Sequence, residues 1–342
     1  MEIKENISLT NYTSFHIGGT VRYLLTADSP ESVVRAVHFA QEKQLPLFVI
    51  GEGSNLLISD EHQNACFLHM KNNTITQDTL TPGEIVVTAD AGVLWDDLVA
   101  HTVVNGLSGL ECLSGIPGSV GAAPVQNIGA YGQECKDAFI SLTAYDRDTH
   151  SWVTLSKEDV NFSYRNSLFK HFPDRYIITD VSFRLTKSRP PQPTYQSLVA
   201  YLQTNHIHHP TVQDLREAIL FLRKTKLPDP TVIGSAGSFF KNPVVTNKVF
   251  QRVQRTFPDV PSIKLSTDAI KLFAGWLIEK AGLKGVREGG AQVYEQNSLV
   301  ITNATGQATA SDVKKLAERI TKQVNDQFGI TLLPEVEYVR YL

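Results

Sequence analysis

Gly106-Leu107-Ser108-Gly109-Leu110-Glu111-Cys112-Leu113-Ser114-Gly115-Ile116-Pro117-Gly118-Ser119-Val120-Gly121-Ala122-Ala123-Pro124-Val125-Gln126-Asn127-Ile128-Gly129-Ala130-Tyr131-Gly132 holds seven of the chain's 22 glycines, and Glu111 is its one charged residue. Glycine loses the most conformational entropy on folding, so such clustering is costly unless the chain needs positive φ angles or close approach of another molecule to its amides. Successive bare N–H groups in such turns form a concavity for anions, and only Glu111 would oppose a negative guest. A pyrophosphate suits it. A flexible linker would lack the interleaved Leu, Ile, Pro, Val and Tyr.

Upstream, the apolar run Leu47-Phe48-Val49-Ile50 ends in Gly51-Glu52-Gly53-Ser54-Asn55, and Leu56-Leu57-Ile58 follows at once. The expected order is strand, nest, strand. A plain hairpin turn would explain this loop if it stood alone. It is not the Rossmann dinucleotide fingerprint, because the third glycine and the following helix are missing, and no Walker-type Gly-x-x-x-x-Gly-Lys is present. Two glycine loops without either motif point to another way of holding a dinucleotide.

The remaining composition fits a soluble enzyme. A chain of 342 residues with 42% hydrophobic residues supports roughly two or three domains with real cores. The net charge of -3 and the absence of a basic block give no reason to expect nucleic acid or a membrane surface as partner. The N-terminus Met1-Glu2-Ile3-Lys4-Glu5-Asn6 is polar, and no apolar run approaches the ~20 residues of a membrane span. A cytoplasmic location is expected, with no required protein partner. Cys66, Cys112 and Cys135 lack metal-ligand or disulfide spacing and read as small buried or semi-buried residues.

The pattern along the chain is α+β. Ser29 with Pro30 opens a helix whose apolar side is Val33, Val34, Val37 and Ala40. Glu84 to Ala89 reads as strand, and Trp95, Leu98, Val99 and Thr102 form a helical stripe closed by Gly106. Strands dominate from Phe139 to Thr186, and Lys187-Ser188-Arg189-Pro190-Pro191-Gln192-Pro193 marks a break. Beyond it, helices are expected over Thr211 to Thr225, Leu272 to Ala281 and around Val313 to Phe328, with a strand from Ala291 to Thr302 and a strand-like tail from Ile330 to Leu342.

Three segments place chemically capable residues among apolar ones: Tyr164-Arg165-Asn166-Ser167, Gly234-Ser235-Ala236-Gly237-Ser238-Phe239-Phe240-Lys241-Asn242-Pro243, and Leu333-Pro334-Glu335-Val336, the last read as an apolar strand. A cation, a hydroxyl and a carboxylate in such settings need partners. A surface ion pair, a filled turn and a solvated strand face would each explain one of them. Their coincidence suggests a site.

Taken together in order and spacing, both glycine loops, these three segments and Lys226-Leu227-Pro228-Asp229-Pro230 resemble the UDP-N-acetylenolpyruvoylglucosamine reductases, over about Ser14 to Val336. The resemblance implies a vanillyl-alcohol-oxidase/PCMH-type FAD-binding domain plus an α+β substrate domain. It divides the chain into FAD-binding parts at 1–72 (with a returning strand at 330–342) and 73–205, and a substrate-binding part at 210–329. It further implies non-covalent FAD, NADPH as hydride donor, and reduction of the enolpyruvyl ether of UDP-N-acetylglucosamine to UDP-N-acetylmuramate, a peptidoglycan precursor.

By the same resemblance, Ser238 donates a proton while Arg165 and Glu335 hold the substrate carboxylate. FAD contacts are expected from Gly51, Glu52, Gly53, Ser54 and Asn55 in the first loop. In the second they are expected from Ile116, Gly118, Gly121, Ala122, Val125, Gln126, Gly129 and Tyr131. Tyr195, in the loop that marks the type I branch, would cover the substrate diphosphate with Lys226 and Asn242. Asn166, Ser235 and Leu333 depart from commoner family residues, and Leu333 alters the surroundings of Glu335. The His206-Ile207-His208-His209 cluster lacks a fourth ligand, so no metal is expected. A flavin oxidase of the same fold and a non-catalytic UDP-sugar binder remain as rival readings; a colourless protein would favour the binder.

Overall fold

Ser29 caps the helix Pro30–Glu42 through a reciprocal bond with Ser32, and Val33, Ala36, Val37 and Ala40 are buried beneath it. The computed structural model describes residues 1–341, so the expected terminal strand 330–342 reaches one residue beyond those described. The helix lies on a four-stranded sheet with the order Glu2–Ser8, Thr20–Ala27, Gln63–Met70, Leu47–Ile50. The first pair is antiparallel and the other two are parallel. Because Leu47–Ile50 is a parallel edge strand, its chain must leave the sheet at its end, and the loop Gly51–Asn55 is that exit.

A second, antiparallel sheet runs Ser151–Ser156, Phe139–Asp146, Tyr176–Thr186, Glu84–Asp90, Ile75–Thr81. Its core includes Trp95 of the helix Trp95–Val104, edge-on to Phe183 at 5.7 Å between ring centres. The helix Val212–Lys226 was expected with the third part of the chain, yet it buries Leu215, Ala218, Ile219 and Leu222 with Leu198 and Leu202 of the helix Gln196–Thr204. By contact it belongs with what precedes it. Arg216 forks onto Asp96 at 2.6 and 2.8 Å, pinning this helix to Trp95–Val104.

The third core gathers Phe239, Phe240 and the inner face of the helix Ala310–Phe328, namely Val313, Leu316, Ala317, Ile320, Val324 and Phe328. The capping pair Thr309 and Asp312 starts that helix, and Gly329 at φ 63° ends it. Each larger aliphatic or aromatic side chain buried here stabilises the fold by about 1.5–3 kcal/mol. Phe15, Ile17 and Leu57 join the same core. Ser14 also bonds Ser235 twice, carbonyl from amide at 2.9 Å and hydroxyl to carbonyl at 2.6 Å.

Three expected elements are corrected. The helix near 272 begins at Ala274, because Ile270–Leu272 is a strand whose last amide bonds Pro243 at 2.9 Å. The span 291–302 is two strands, Ala291–Val293 and Val300–Asn303, since Asn297 accepts the Leu299 amide and closes a turn between them. Glu335 stands on a bend rather than in a strand. There the chain changes partners: the Glu335 amide bonds Phe239 and the Glu337 amide bonds Asn55 before the strand Glu337–Val339 pairs with Leu56–Ile58.

Candidate active site

The two glycine loops meet. A Cβ on Gly51 would lie 2.4 Å from the Ser119 hydroxyl, and one on Gly121 would lie 2.7 Å from Ala91, so these two positions need glycine for packing rather than for φ. Ser54 donates to the Pro117 carbonyl at 3.0 Å, and Asn55 Nδ2 donates both to Gln126 Oε1 at 2.8 Å and to the Glu335 carbonyl at 3.0 Å. Between the loops runs a cleft of about 610 Å³, in the range of small-molecule sites.

Among the described residues, the amides of Glu52, Gly53, Ser54 and Asn55, and opposite them those of Gly118 and Ser119, donate to no protein acceptor. All six residues line the cleft. A double row of unpaired amides is a site for phosphate oxygens, so the residues present fit a dinucleotide pyrophosphate. Glu111 does not oppose it. Its carboxylate is buried, turned into its own loop, and accepts from Ser108 at 3.0 Å and the Gly109 amide at 2.6 Å.

Arg223 also lines this cleft and has no carboxylate partner within ion-pair reach among the described residues. Burial pulls its guanidinium below the usual range, which an incoming anion would relieve. The sequence reading missed it. The signal is spacing: seven residues after Arg216, it falls on nearly the same helical face as the residue pinned to Asp96. Gly115 gives it room, since a Cβ there would stand 3.1 Å from Arg223 Nε.

The turn Ser163–Asn166 carries Tyr164 and Arg165 at its tip, both lining the cleft, with Arg165 at φ 53°. Arg165 Nε donates to Glu335 Oε1 at 2.9 Å, Nη2 to the Gly129 carbonyl at 2.6 Å and Nη1 to the Asn127 carbonyl at 3.3 Å. Both side chains of this contact are nearly closed to solvent, 16% and 12% exposed. Burial raises the Glu335 carboxyl above its ordinary range, and this outweighs the opposing pull of Arg165, Lys170 and Lys241.

Ser238 ends the strand Gly234–Ser238, where Gly237 at φ 67° breaks the register against Val300. It lines the same cleft, and the neighbouring Phe239 carbonyl takes the Glu335 amide. Asn242 lines it too; its Oδ1 accepts the Ala274 amide at 2.9 Å, which fixes the side chain.

Among the expected contact residues, those of the first loop and Ile116, Gly118, Gly121, Ala122, Val125, Gln126 and Gly129 all line the cleft. Tyr131, Tyr195 and Lys226 stand outside its lining. Tyr131 swings away and packs edge-on against Tyr195 at 5.2 Å. Lys226 is exposed in the last turn of its helix, ten residues after Arg216 and therefore off the pinned face. Among the described residues no cluster could hold a metal ion, and no helix is long and apolar enough to cross a membrane.

Comparison with known proteins gives two family matches. The FAD binding domain pattern matches residues 21–155, and that of the UDP-N-acetylenolpyruvoylglucosamine reductase C-terminal domain matches residues 229–339. A UDP-N-acetylenolpyruvoylglucosamine reductase of Pseudomonas aeruginosa is 43% identical over 335 residues, covering 98% of both chains. One from Neisseria gonorrhoeae is 40% identical over 342 residues, covering 98% of this chain and 97% of its own. The crystal structure of the Thermus caldophilus UDP-N-acetylenolpyruvylglucosamine reductase superposes with a TM-score of 0.69 at 27% identity, covering 99% of each chain.

Proposed function

The chain belongs to the UDP-N-acetylenolpyruvoylglucosamine reductase family, and from that premise we propose that Arg165, Glu335 and Ser238 perform its substrate chemistry in the cleft between the glycine loops. The protein is an FAD-dependent oxidoreductase that uses NADPH to reduce the enolpyruvyl ether of UDP-N-acetylglucosamine to UDP-N-acetylmuramate for peptidoglycan synthesis. A cytoplasmic location, where NADPH is available, belongs to this proposal.

The amides of the two loops and Arg223 would hold FAD, which when bound would supply a hydride taken from NADPH for the terminal carbon of the enolpyruvyl group. The chain's residues manage the charge that follows. Negative charge grows on the adjacent carbon and spreads into the carboxylate. A guanidinium has five N–H donors, and Arg165 has committed three to Glu335, Gly129 and Asn127, so two are left for that carboxylate. Glu335, kept neutral more readily by burial, adds an O–H donor to the same oxygens. Ser238 then gives its proton to the carbon. Its acceptor is strongly basic, so placement matters more than a tuned pKa.

The observation that carries this reading is the Arg165–Glu335 contact at 2.9 Å in the same cleft as the unpaired loop amides. We also keep the three-part division as a proposal, with one change: 1–72 with the returning tail and 73–205 hold FAD, the helix Val212–Lys226 packs with them and brings Arg223 to that site, and the rest of 210–329 receives the UDP-sugar, with Tyr195 and Lys226 closing over the diphosphate. The test is a purified sample. It should be yellow, release its colour on acid precipitation because FAD is not covalently attached, and consume NADPH on addition of the enolpyruvyl substrate, giving a product heavier by two hydrogens. Colourless protein would favour a UDP-sugar binder, and oxygen consumption without that product a flavin oxidase.

Three further outcomes follow from this reading. Because Glu335 acts protonated, kcat/KM for the enolpyruvyl substrate should fall as pH rises through its raised pKa, and Glu335→Gln should flatten that limb. An unchanged limb in the variant would assign it to another group. Lys226→Ala should weaken substrate binding by about one to two decades, as expected for losing a charge-assisted phosphate contact of roughly 1.5–3 kcal/mol, while FAD content stays intact. Arg223→Ala should do the reverse, lowering the FAD-to-protein ratio after gel filtration. Equal loss of FAD in both variants would remove the distinction.

A further inference from the structure

Asn127 is fully buried, does not line the cleft, and sits at φ 47° with its side-chain amide committed on both sides. Its Nδ2 donates to Glu134 Oε2 at 3.1 Å and to the Ser163 carbonyl at 3.1 Å, its Oδ1 accepts the Lys136 amide at 3.0 Å, and its own carbonyl accepts from Arg165 Nη1 at 3.3 Å. Ser163 is where the Arg165 turn begins, and its carbonyl also takes the Asn166 amide at 3.2 Å that closes the turn. Asn127 therefore grips the Arg165 hairpin twice, at its base through the side chain and at its tip through the backbone.

That hairpin needs a grip. Arg165 occupies the left-handed region, which costs a non-glycine residue free energy unless the surroundings fix it. Asparagine meets the demands on position 127 together: it tolerates positive φ, and one short side chain offers both an acceptor and a two-proton donor. Aspartate would instead set a carboxylate against Glu134. We propose that Asn127 is the positioning residue for Arg165, coupling the second glycine loop to the aim of the guanidinium. This rests on the assignment of Arg165 to the substrate carboxylate.

Displacing a clamp by about 1 Å costs on the order of 10²-fold in rate. Asn127→Gly keeps the backbone conformation and removes only the side chain. In FAD-loaded enzyme it should lower kcat by about 10²-fold on that estimate, change KM less than kcat, and leave the FAD-to-protein ratio at that of the parent. In an Arg165→Ala background the same substitution should change kcat by less than about twofold, because a residue acting only through Arg165 has nothing left to act on. Full multiplication of the two losses overturns the proposal. Should Asn127→Gly not fold, Asn127→Asp is read in the same cycle; its kcat should recover toward acid pH, where a protonated carboxyl regains a donor, and loss of FAD in both variants overturns the proposal as well. If Arg165→Ala alone leaves kcat intact, the assignment of Arg165 is what has failed, and the positioning role falls with it.

Discussion

Ser238→Ala should turn over the enolpyruvyl substrate at least about 100-fold more slowly, within the roughly 10²–10⁴-fold that general acid catalysis contributes. The fold gives no other reason for so large a loss. Ser238 lies at the end of its strand beyond a register break, and among the described residues its hydroxyl makes no hydrogen bond that the substitution would sacrifice. Fold and FAD content should therefore survive. Bleaching of the bound flavin by NADPH does not involve the enolpyruvyl group and should stay near the parent rate. Stopped-flow absorbance separates this from recovery of the yellow colour on adding substrate, which should collapse. If both steps slow equally, the serine is structural and the proton comes from elsewhere.

Arg165→Ala should reduce the same substrate-dependent step by about 10²–10³-fold, the range seen when one donor to a developing anion is removed. Unlike Ser238, Arg165 is embedded, so its loss strips partners from Glu335, Gly129 and Asn127 together. Arg165→Lys keeps the charge but lacks the planar fork and should recover only part of the rate. Glu335→Gln should be milder than either, since an amide still donates a hydrogen bond. Measured side by side against FAD content, these variants rank charge, fork geometry and donor identity. A lysine variant as active as the parent would mean that charge alone suffices and that the three bonds holding the guanidinium are incidental.

The family, both glycine loops and the three segments whose Arg165, Ser238 and Glu335 line one cleft were legible in the sequence. Less legible was how their segments run. Pro334-Glu335-Val336 reads as continuous apolar strand, yet the backbone changes partners at Glu335, from Phe239 to Asn55, and so bends. Ala291 to Thr302 has enough apolar residues for one strand, but Asn297 closes a turn inside it. A periodicity averages over such switches because it registers which side chains are apolar and not which distant carbonyl each amide meets.

What the sequence determined by itself is what neighbours within a few residues decide. The capped helix starts at Ser29, Thr211 and Thr309 are of this kind, since each cap bonds a residue three positions on. So are the clustered amides of the glycine loops, because Gly and Pro restrict or free the backbone wherever they stand. Only the tertiary structure decided that Arg223 and not Lys226 faces the cleft: the helix is rotated by the clasp of Arg216 on Asp96, more than a hundred residues away. Only it brought Asn55 to both Gln126 and Glu335, and Asn127 to the base of the Arg165 turn. These bonds join segments whose closeness is set by how the cores pack, and no local stretch of chain carries the free energy that brings them together.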